Sequence, residues 1–250
     1  MITLKNISKT FGRNQPNEFL VLRNLSLEIK QKDFVIIVGS NGSGKSTLLN
    51  IISGTVKPDE GSVLLDGKDI TQLKDFQRSK WVARIFQNPL AGTAPGLTIL
   101  ENFRLAALRT KSKSFRIGTT AEFRTQIRER ISFLNLGLEN KLDTEIESLS
   151  GGQRQALTLL MATMDESKIL LLDEPSAALD PKTSELIMNL AVKIITDFKL
   201  TAILVTHQMK DVVKFGNRVI QLKEGQIIRD IQKEKAAPLN VVDVYEWFND

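Results

Sequence analysis

The run Gly39-Ser40-Asn41-Gly42-Ser43-Gly44-Lys45-Ser46 fits the pattern G-x-x-x-x-G-K-[ST]. Its chemistry is that of a phosphate cradle. Glycines let the backbone curl until successive N–H groups point inward at phosphate oxygens. A helix expected to begin at Lys45 adds the positive end of its dipole. Lys45 would reach the β- and γ-phosphates, and the Ser46 hydroxyl would bind Mg²⁺. The nucleotide contacts expected here run from Gly39 through Thr47. The alternative is a glycine-rich turn with no ligand. The flanks argue against it, because the apolar run Phe34 to Val38 precedes the motif and Leu48, Leu49 and Ile52 follow it at helical spacing.

A second acidic signal lies downstream. Ile169 to Leu172 are four apolar residues, and Asp173 and Glu174 follow. A strand that buries itself and then presents two carboxylates delivers them to the end of a parallel sheet where ligands gather. Asp173 would hold Mg²⁺ through water, and Glu174 would orient or deprotonate an attacking water. Alone this pattern reads equally as a solvated turn; paired with the cradle it reads as the other half of a site. His207 follows Ile203 to Thr206 at the end of another strand candidate. A lone histidine is ordinarily a satisfied surface or core residue, and in this place it could hydrogen-bond a γ-phosphate.

The elements that must position these groups are legible in outline. Leu25, Leu27 and Ile29 alternate with polar residues, as in a half-buried strand, and the first sixty-odd residues read as β-rich. Phe34 to Val38 suits a strand buried on both faces. Ser62 to Leu65, then Asp66-Gly67, reads as a strand entering a tight turn. From about Pro89 the chain turns helical and charged, with helices expected over Ile99 to Leu108 and Ala121 to Leu134 and an exposed loop over Lys111 to Thr120. After Ser148 strand, helix and strand signals return at Ile169 to Leu172, Thr183 to Ile195 and Ala202 to Val205, which implies a parallel sheet. A hairpin is expected around Glu224-Gly225. A short helix over Val241 to Phe248 would pack Val244, Trp247 and Phe248 on the body or dock a partner.

Composition narrows the classes. The chain has 250 residues, no cysteine and one histidine, so thiolate and multi-histidine metal sites are excluded and any metal must sit on oxygen. No apolar run approaches the roughly 20 residues of a membrane span, and the first residues lack a secretory hydrophobic region. The net charge of +5 would suit an anionic partner or plain solubility. The basic stretch Arg109 to Arg116 has no interleaved aromatic ladder, so no nucleic-acid partner is expected.

Leu149-Ser150-Gly151-Gly152-Gln153 completes the pattern. With the cradle, Gln87 after Phe86, Asp173-Glu174, Ser176-Ala-Ala-Leu179-Asp180 and His207, the chain resembles the ATP-binding-cassette (ABC) ATPases along essentially its whole length, and in particular the ATP-binding subunits of bacterial importers. The resemblance implies an α/β fold: a P-loop NTPase core with a parallel sheet, an N-terminal antiparallel β subdomain and an inserted helical signature subdomain at about 89–160, within one domain over 1–250. It implies an ATPase with ATP and Mg²⁺ as ligands. Ser150, Gly151, Gly152 and Gln153 would cap the ATP held on a second ABC ATPase subunit, as in a head-to-tail homodimer with two sites. Asp180 would lie in the loop that carries information across that interface, and Gln87 would touch Mg²⁺ or water and sense the γ-phosphate. Phe11 is placed like the aromatic residue that stacks on adenine; for Phe11 alone, core packing is the alternative. Residues Pro89 to Leu108 would form the groove for an integral membrane permease, with an extracytoplasmic solute-binding protein in the complex and this chain on the cytoplasmic face of the membrane.

The function so implied is ATP-driven uptake of a small solute such as an amino acid. The run Gln87 to Pro95 resembles an importer branch some of whose members are assigned to aromatic amino acids. The alternative is a non-import complex for lipoprotein extraction, export or envelope remodelling. DNA-maintenance relatives need a long or zinc-bearing insert between Gln87 and Ser150, and translation-factor relatives carry two cassettes. A GTPase-like switch is set aside because no guanine-reading Asn-Lys-x-Asp motif is expected. One departure from the family stands out: the turn before the cradle strand commonly carries glycine, whereas here it is Lys32-Asp33, which puts that turn's conformation in question.

Overall fold

The computed structural model describes residues 1–108, 118–164, 167–233 and 244–245. Two sheets organise the chain. The first has the order β2-β1-β4-β5 and is antiparallel. Its strands are β1 (Ile2–Phe11), β2 (Phe19–Ile29), β4 (Glu60–Leu65) and β5 (Lys68–Asp69). Asp66 and Gly67 join the last two with φ of 49° and 78°, the left-handed pair that a two-residue hairpin turn demands.

The second sheet has the order β10-β9-β3-β8-β7-β6. Here β3 is Phe34–Val38, β6 Val82–Ile85, β7 Ile169–Asp173, β8 Thr201–Val205, β9 Arg218–Lys223 and β10 Gln226–Gln232. From β9 to β6 every neighbouring pair is parallel. Only β10 runs against its neighbour, through the expected hairpin at Glu224-Gly225. A parallel strand in mid-sheet is covered on both faces and must be apolar on both, and all five residues of β3 are buried.

Side chains alternate between two cores, because successive Cβ atoms point to opposite faces. Ile36, Leu170, Leu172 and Leu204 join one apolar cluster with residues of the helices that follow β6. Val35, Ile37, Leu171 and Ile203 join the other, with the first sheet and α1 (Lys45–Ser53). The cradle helix is therefore clamped between the two sheets, with Leu48, Leu49, Ile51 and Ile52 fully buried.

The remaining helices are α2 (Asp75–Arg78), α3 (Ile99–Ala107), α4 (Ala121–Ser132), α5 (Gly151–Met161), α6 (Pro181–Asp197) and α7 (Met209–Lys214). Helices α3, α4 and α5 lie between β6 and β7 in sequence, as expected. Residues 89–97, in the stretch read as helical, form turns instead. Asn102 of α3 explains their order. Its Oδ1 accepts from Ala94 N–H, and its Nδ2 donates to the carbonyls of Ala94, Leu97 and Thr98. The helix over Ala121 to Leu134 stops at Ser132, but Ile127, Ile131 and Leu134 are buried at the expected spacing. Of the expected tail helix only Val244, which is buried, and Tyr245, which is exposed, fall among the described residues, and the loop over Lys111 to Thr120 falls mostly outside them.

The turn that lacks glycine forms nonetheless. Lys32 adopts φ of 68°, a left-handed conformation that costs an L-residue about 1 kcal/mol. The surroundings hold it there: Lys32 N–H donates to Thr201 Oγ1, and Asp33 Oδ2 accepts from Lys30 N–H.

Candidate nucleotide site

The cradle forms where the motif places it, between β3 and α1. Gly39 has φ of 148°, and a Cβ there would stand 2.1 Å from the Leu222 carbonyl oxygen, so no side chain fits. The β9–β10 turn braces the loop from outside, with Gly225 N–H donating to the Ser43 carbonyl. Gly44 enters α1 in a left-handed conformation, and no side chain caps the helix. The first-turn amides are left for a ligand, and helix N-termini bind anions by such amides.

Lys45 is buried. Its Nζ donates to the carbonyls of Gly39, at 2.8 Å, and Ser40, at 2.9 Å. An ammonium has three donors, so one remains for a phosphate oxygen. Burial pulls the Lys45 pKa below its ordinary value, and the carboxylates of Glu174 and Asp173 oppose that shift.

Asp173 ends β7 beside the cradle helix. Its Oδ1 accepts from Ser46 Oγ at 3.4 Å, and its Oδ2 pairs with Arg84 at 2.7 Å. Two hard oxygen donors facing each other fit Mg²⁺, which takes few protein ligands and keeps several waters. Arg84 was not singled out from sequence. It also donates to Asn50 Oδ1 on α1 and lies 4.8 Å from the Phe86 ring centroid. A charge inside the apolar strand Val82-Ala-Arg-Ile85 was the available signal, because a buried charge must be paired.

Glu174 leaves the strand with φ of 48°. Such strain in a non-glycine residue gathers at functional sites and costs on the order of 1–3 kcal/mol. Its N–H donates to the Val205 carbonyl, and its Oε1 lies 3.0 Å from His207 Nε2. The lone histidine is thus an exposed residue set against the Glu174 carboxylate. Gln208 anchors its loop by donating to Ser176 Oγ and Ser184 Oγ.

A cavity of about 250 Å³ gathers Phe11, Asn41, Gly42, Gly44, Lys45, Ser46, Thr47, Glu174 and His207. Gly39, Ser40 and Ser43 of the same loop do not line it. Phe19 and Val21 also line it, and neither was expected. Gln87 is exposed two residues beyond β6 and does not line the cavity.

Neither do Ser150, Gly151, Gly152 and Gln153, which open α5 elsewhere on the chain, nor Asp180. Ser150 caps α5 and Asp180 caps α6, where Asp180 accepts from Thr183 N–H at 3.1 Å. That hydrogen bonding by Thr183 holds the Asp180 carboxyl below its ordinary pKa. The two caps touch: a Cβ on Gly152 would stand 2.3 Å from Thr183 Cγ2. Gln155, also not singled out, is fully buried and donates to the carbonyls of Pro175 and Phe86, so α5 is wired to the loops that follow β7 and β6. Only a polar residue on an apolar helix face hinted at it.

A larger groove of about 370 Å³ is lined by Ala91, Thr93, Asn102, Leu105, Thr158 and Met161 among others, with Leu90 and Leu105 exposed beside it. It coincides with the stretch expected to receive a partner. The string Asn-Lys-x-Asp does occur, against expectation, at Asn140 to Asp143. It reads no base here: Leu142 is buried in the core, Asp143 pairs with Arg124, and none of the four lines the cradle cavity.

Comparison with known proteins places the chain in a family. A family model described as ABC transporter matches residues 22–177. The tyrosine transport ATP-binding protein of Clostridioides difficile is 40% identical over 99% of this chain and 98% of its own length. The macrolide export ATP-binding/permease protein of Mannheimia succiniciproducens is 36% identical over 93% of this chain but only 35% of its own length. Among solved structures, a dimeric post-hydrolysis ATP-binding cassette of Methanocaldococcus jannaschii, bound to ADP and Pi, superposes with a TM-score of 0.78 at 35% identity, covering 93% of this chain and 98% of that one.

Proposed function

This chain belongs to the ABC transporter ATP-binding family and is an ATPase subunit of a transporter, and we propose that it drives uptake of a small solute, an amino acid, through a separate permease. The observation that carries the catalytic part is the meeting, around one cavity, of the phosphate cradle with the Glu174–His207 pair at 3.0 Å. ATP enters with its phosphates on the cradle amides and on Lys45. Ser46 and Asp173, joined by Gln87 from the exposed turn after β6, would hold Mg²⁺, which would neutralise charge on the nucleotide's phosphates. Glu174 orients water in line with the γ-phosphorus and takes its proton, while the bond to ADP breaks and phosphate leaves. His207 keeps the Glu174 carboxylate aligned. Phe11 stacks on the base.

The signature segment lies away from its own chain's cavity, which supports a head-to-tail homodimer. In it Ser150, Gly151, Gly152 and Gln153 close the partner's site, and Asp180, touching that cap through Thr183, relays the state of one site to the other. ATP binds the closed pair far better than the open one, and that difference in affinity is what allows hydrolysis to do work. The groove beside Leu90 and Leu105 takes the permease on the cytoplasmic face of the membrane, with a solute-binding protein outside. No described helix is long and apolar enough to cross a membrane. Uptake of an amino acid is favoured over export because the tyrosine-transport relative matches end to end, whereas the macrolide-export relative matches over a third of its length.

The test is uptake of labelled tyrosine, phenylalanine and tryptophan by cells lacking this chain. Loss of uptake of one of them, restored by the wild-type chain and not by Glu174→Gln, is the expected result. The purified Glu174→Gln chain should still bind ATP and lose about 10²- to 10⁴-fold in turnover. Unchanged uptake of all three would sink the cargo class, and near-normal hydrolysis in the variant would sink the role of Glu174.

A further inference from the structure

The two groups that fit the metal hold each other only weakly. Ser46 Oγ stands 3.4 Å from Asp173 Oδ1, whereas a strong O–H···O bond spans about 2.5–3.0 Å. The short contact at Asp173 is on its other oxygen, where Arg84 Nη2 donates to Oδ2 at 2.7 Å. Both side chains are largely buried, at 12% and 15% exposure, and a charge-assisted bond is the stronger kind. The register of the sheet sets this contact up. Arg84 stands opposite Leu171 in the pairing of β6 with β7, so Asp173, two residues on, shares its face. From there the guanidinium forks. Its Nη1 donates to Asn50 Oδ1 on α1, and Asn50 lies one helical turn beyond Ser46, on the same side of that helix. Arg84 thus spans from the helix that carries one metal ligand to the strand that carries the other. Its Nε is buried with no hydrogen-bond partner among the described residues. An orphaned donor costs stability, which points away from an ion pair kept for folding alone.

We propose that Arg84 is a positioning residue for the metal. It fixes Asp173 by Oδ2 so that Oδ1 stays turned toward Ser46, and through Asn50 it sets the spacing of the two ligands. This rests on the reading of Ser46 and Asp173 as the Mg²⁺ pair. Groups that hold metal ligands from behind carry much of a site's affinity, and changing one costs about 10- to 100-fold in metal binding. The guanidinium's own charge opposes a cation, so its charge and its geometry pull in opposite directions. Lysine separates the two, because it keeps the charge and lacks the planar fork that engages Asn50 and Asp173 together.

Isothermal titration of the full chain with the β,γ-imido analogue of ATP, in Mg²⁺ and again in EDTA, tests this. The ratio of the two affinities reports the metal, and the EDTA value reports the cradle without it. Arg84→Lys should cut the ratio by about tenfold and leave the EDTA affinity within a factor of about two. Asn50→Ala leaves the Arg84–Asp173 pair and its charge in place. It should lower the ratio in the same direction and add little to Arg84→Lys, since the two residues act through one contact; it carries the test if Arg84→Lys does not fold. A ratio in these variants equal to or above that of the wild type would overturn the proposal. An equal loss in Mg²⁺ and in EDTA would overturn it as well, since Arg84 would then merely support the cradle. A wild-type chain that binds the analogue equally with and without Mg²⁺ would defeat the reading of Ser46 and Asp173 as the metal pair, which is a different result from an indifferent Arg84.

Discussion

Helices α1 and α5 both open in glycine-rich sequence, yet they begin in opposite ways. At α1 the cap is Gly44, left-handed, with no side chain on the first-turn amides. At α5 the cap is Ser150, and a capping box closes it: Ser150 Oγ accepts from Gln153 N–H, while Gln153 Oε1 accepts from Ser150 N–H. The first helix start leaves its donors for a ligand. The second satisfies part of its own demand. The contrast teaches that the cradle leaves its donors for a ligand of its own chain, whereas the signature segment is a helix end that caps itself and, in the proposed dimer, would meet the nucleotide of the other subunit.

The largest effect should come from the cradle. Lys45→Ala removes a buried ammonium and leaves the carbonyls of Gly39 and Ser40 without their donor. Loss of a buried charge partner costs about 2–5 kcal/mol, so nucleotide affinity of the isolated chain should fall by roughly 30- to 5000-fold. Substitutions at the signature should leave that same affinity within a factor of about two. Calorimetric titration of the isolated variants decides the matter. If a signature variant lost monomer affinity as Lys45→Ala does, the division of labour between the two helix starts would be wrong.

This contrast was partly legible in sequence, and the reason lies in how local each feature is. The cradle is one continuous run whose glycines, lysine and serine act where they stand, so spacing alone located it. Asp173 and Glu174 were found for the same reason: four apolar residues commit the strand, and the strand commits the carboxylates. Arg84 and Gln155 act through partners far away in the chain, and Phe19 through one across a hairpin. Arg84 meets Asn50 and Asp173, Gln155 meets Phe86 and Pro175, and Phe19 meets Phe11 across a strand register that a hairpin with a long loop does not announce. Residues 89–97 misled for a related reason. Their turns are fixed by the side chain of Asn102, not by any signal of their own.

A middle-sized effect sharpens the comparison at α5. Gly152→Ala would press a methyl group to within 2.3 Å of Thr183 Cγ2, at the point where the caps of α5 and α6 meet. Overpacking of this kind costs about 1–3 kcal/mol. Thermal unfolding should show the loss in Gly152→Ala and its recovery when Thr183→Ala is added, because the second change removes the colliding atom. Nucleotide affinity of the isolated chain should not move in either variant. A Gly152→Ala chain as stable as the wild type would mean that the two helix starts are less tightly joined than the contact implies, and would remove the route by which Asp180 is proposed to report on the signature.

The smallest stability effect makes the finest distinction, since Ser150 has two tasks to separate. As a cap it is worth about 1 kcal/mol, and Ser150→Ala should lose roughly that in chemical denaturation. As a proposed contact to the partner's nucleotide it should matter to turnover far more than to folding. Alanine removes both tasks at once and cannot divide them. Aspartate can, because it caps a helix as well as serine does and also places a negative charge where a γ-phosphate would have to approach. Ser150→Asp should therefore unfold at the wild-type denaturant concentration, bind nucleotide normally as an isolated chain, and hydrolyse it about a hundredfold more slowly at concentrations where the wild type pairs, the scale of losing one preorganised donor at a reacting phosphate. Wild-type turnover in Ser150→Asp would confine Ser150 to holding its own helix, and α5 would then differ from α1 not as the second half of a site but as a helix end with no ligand at all.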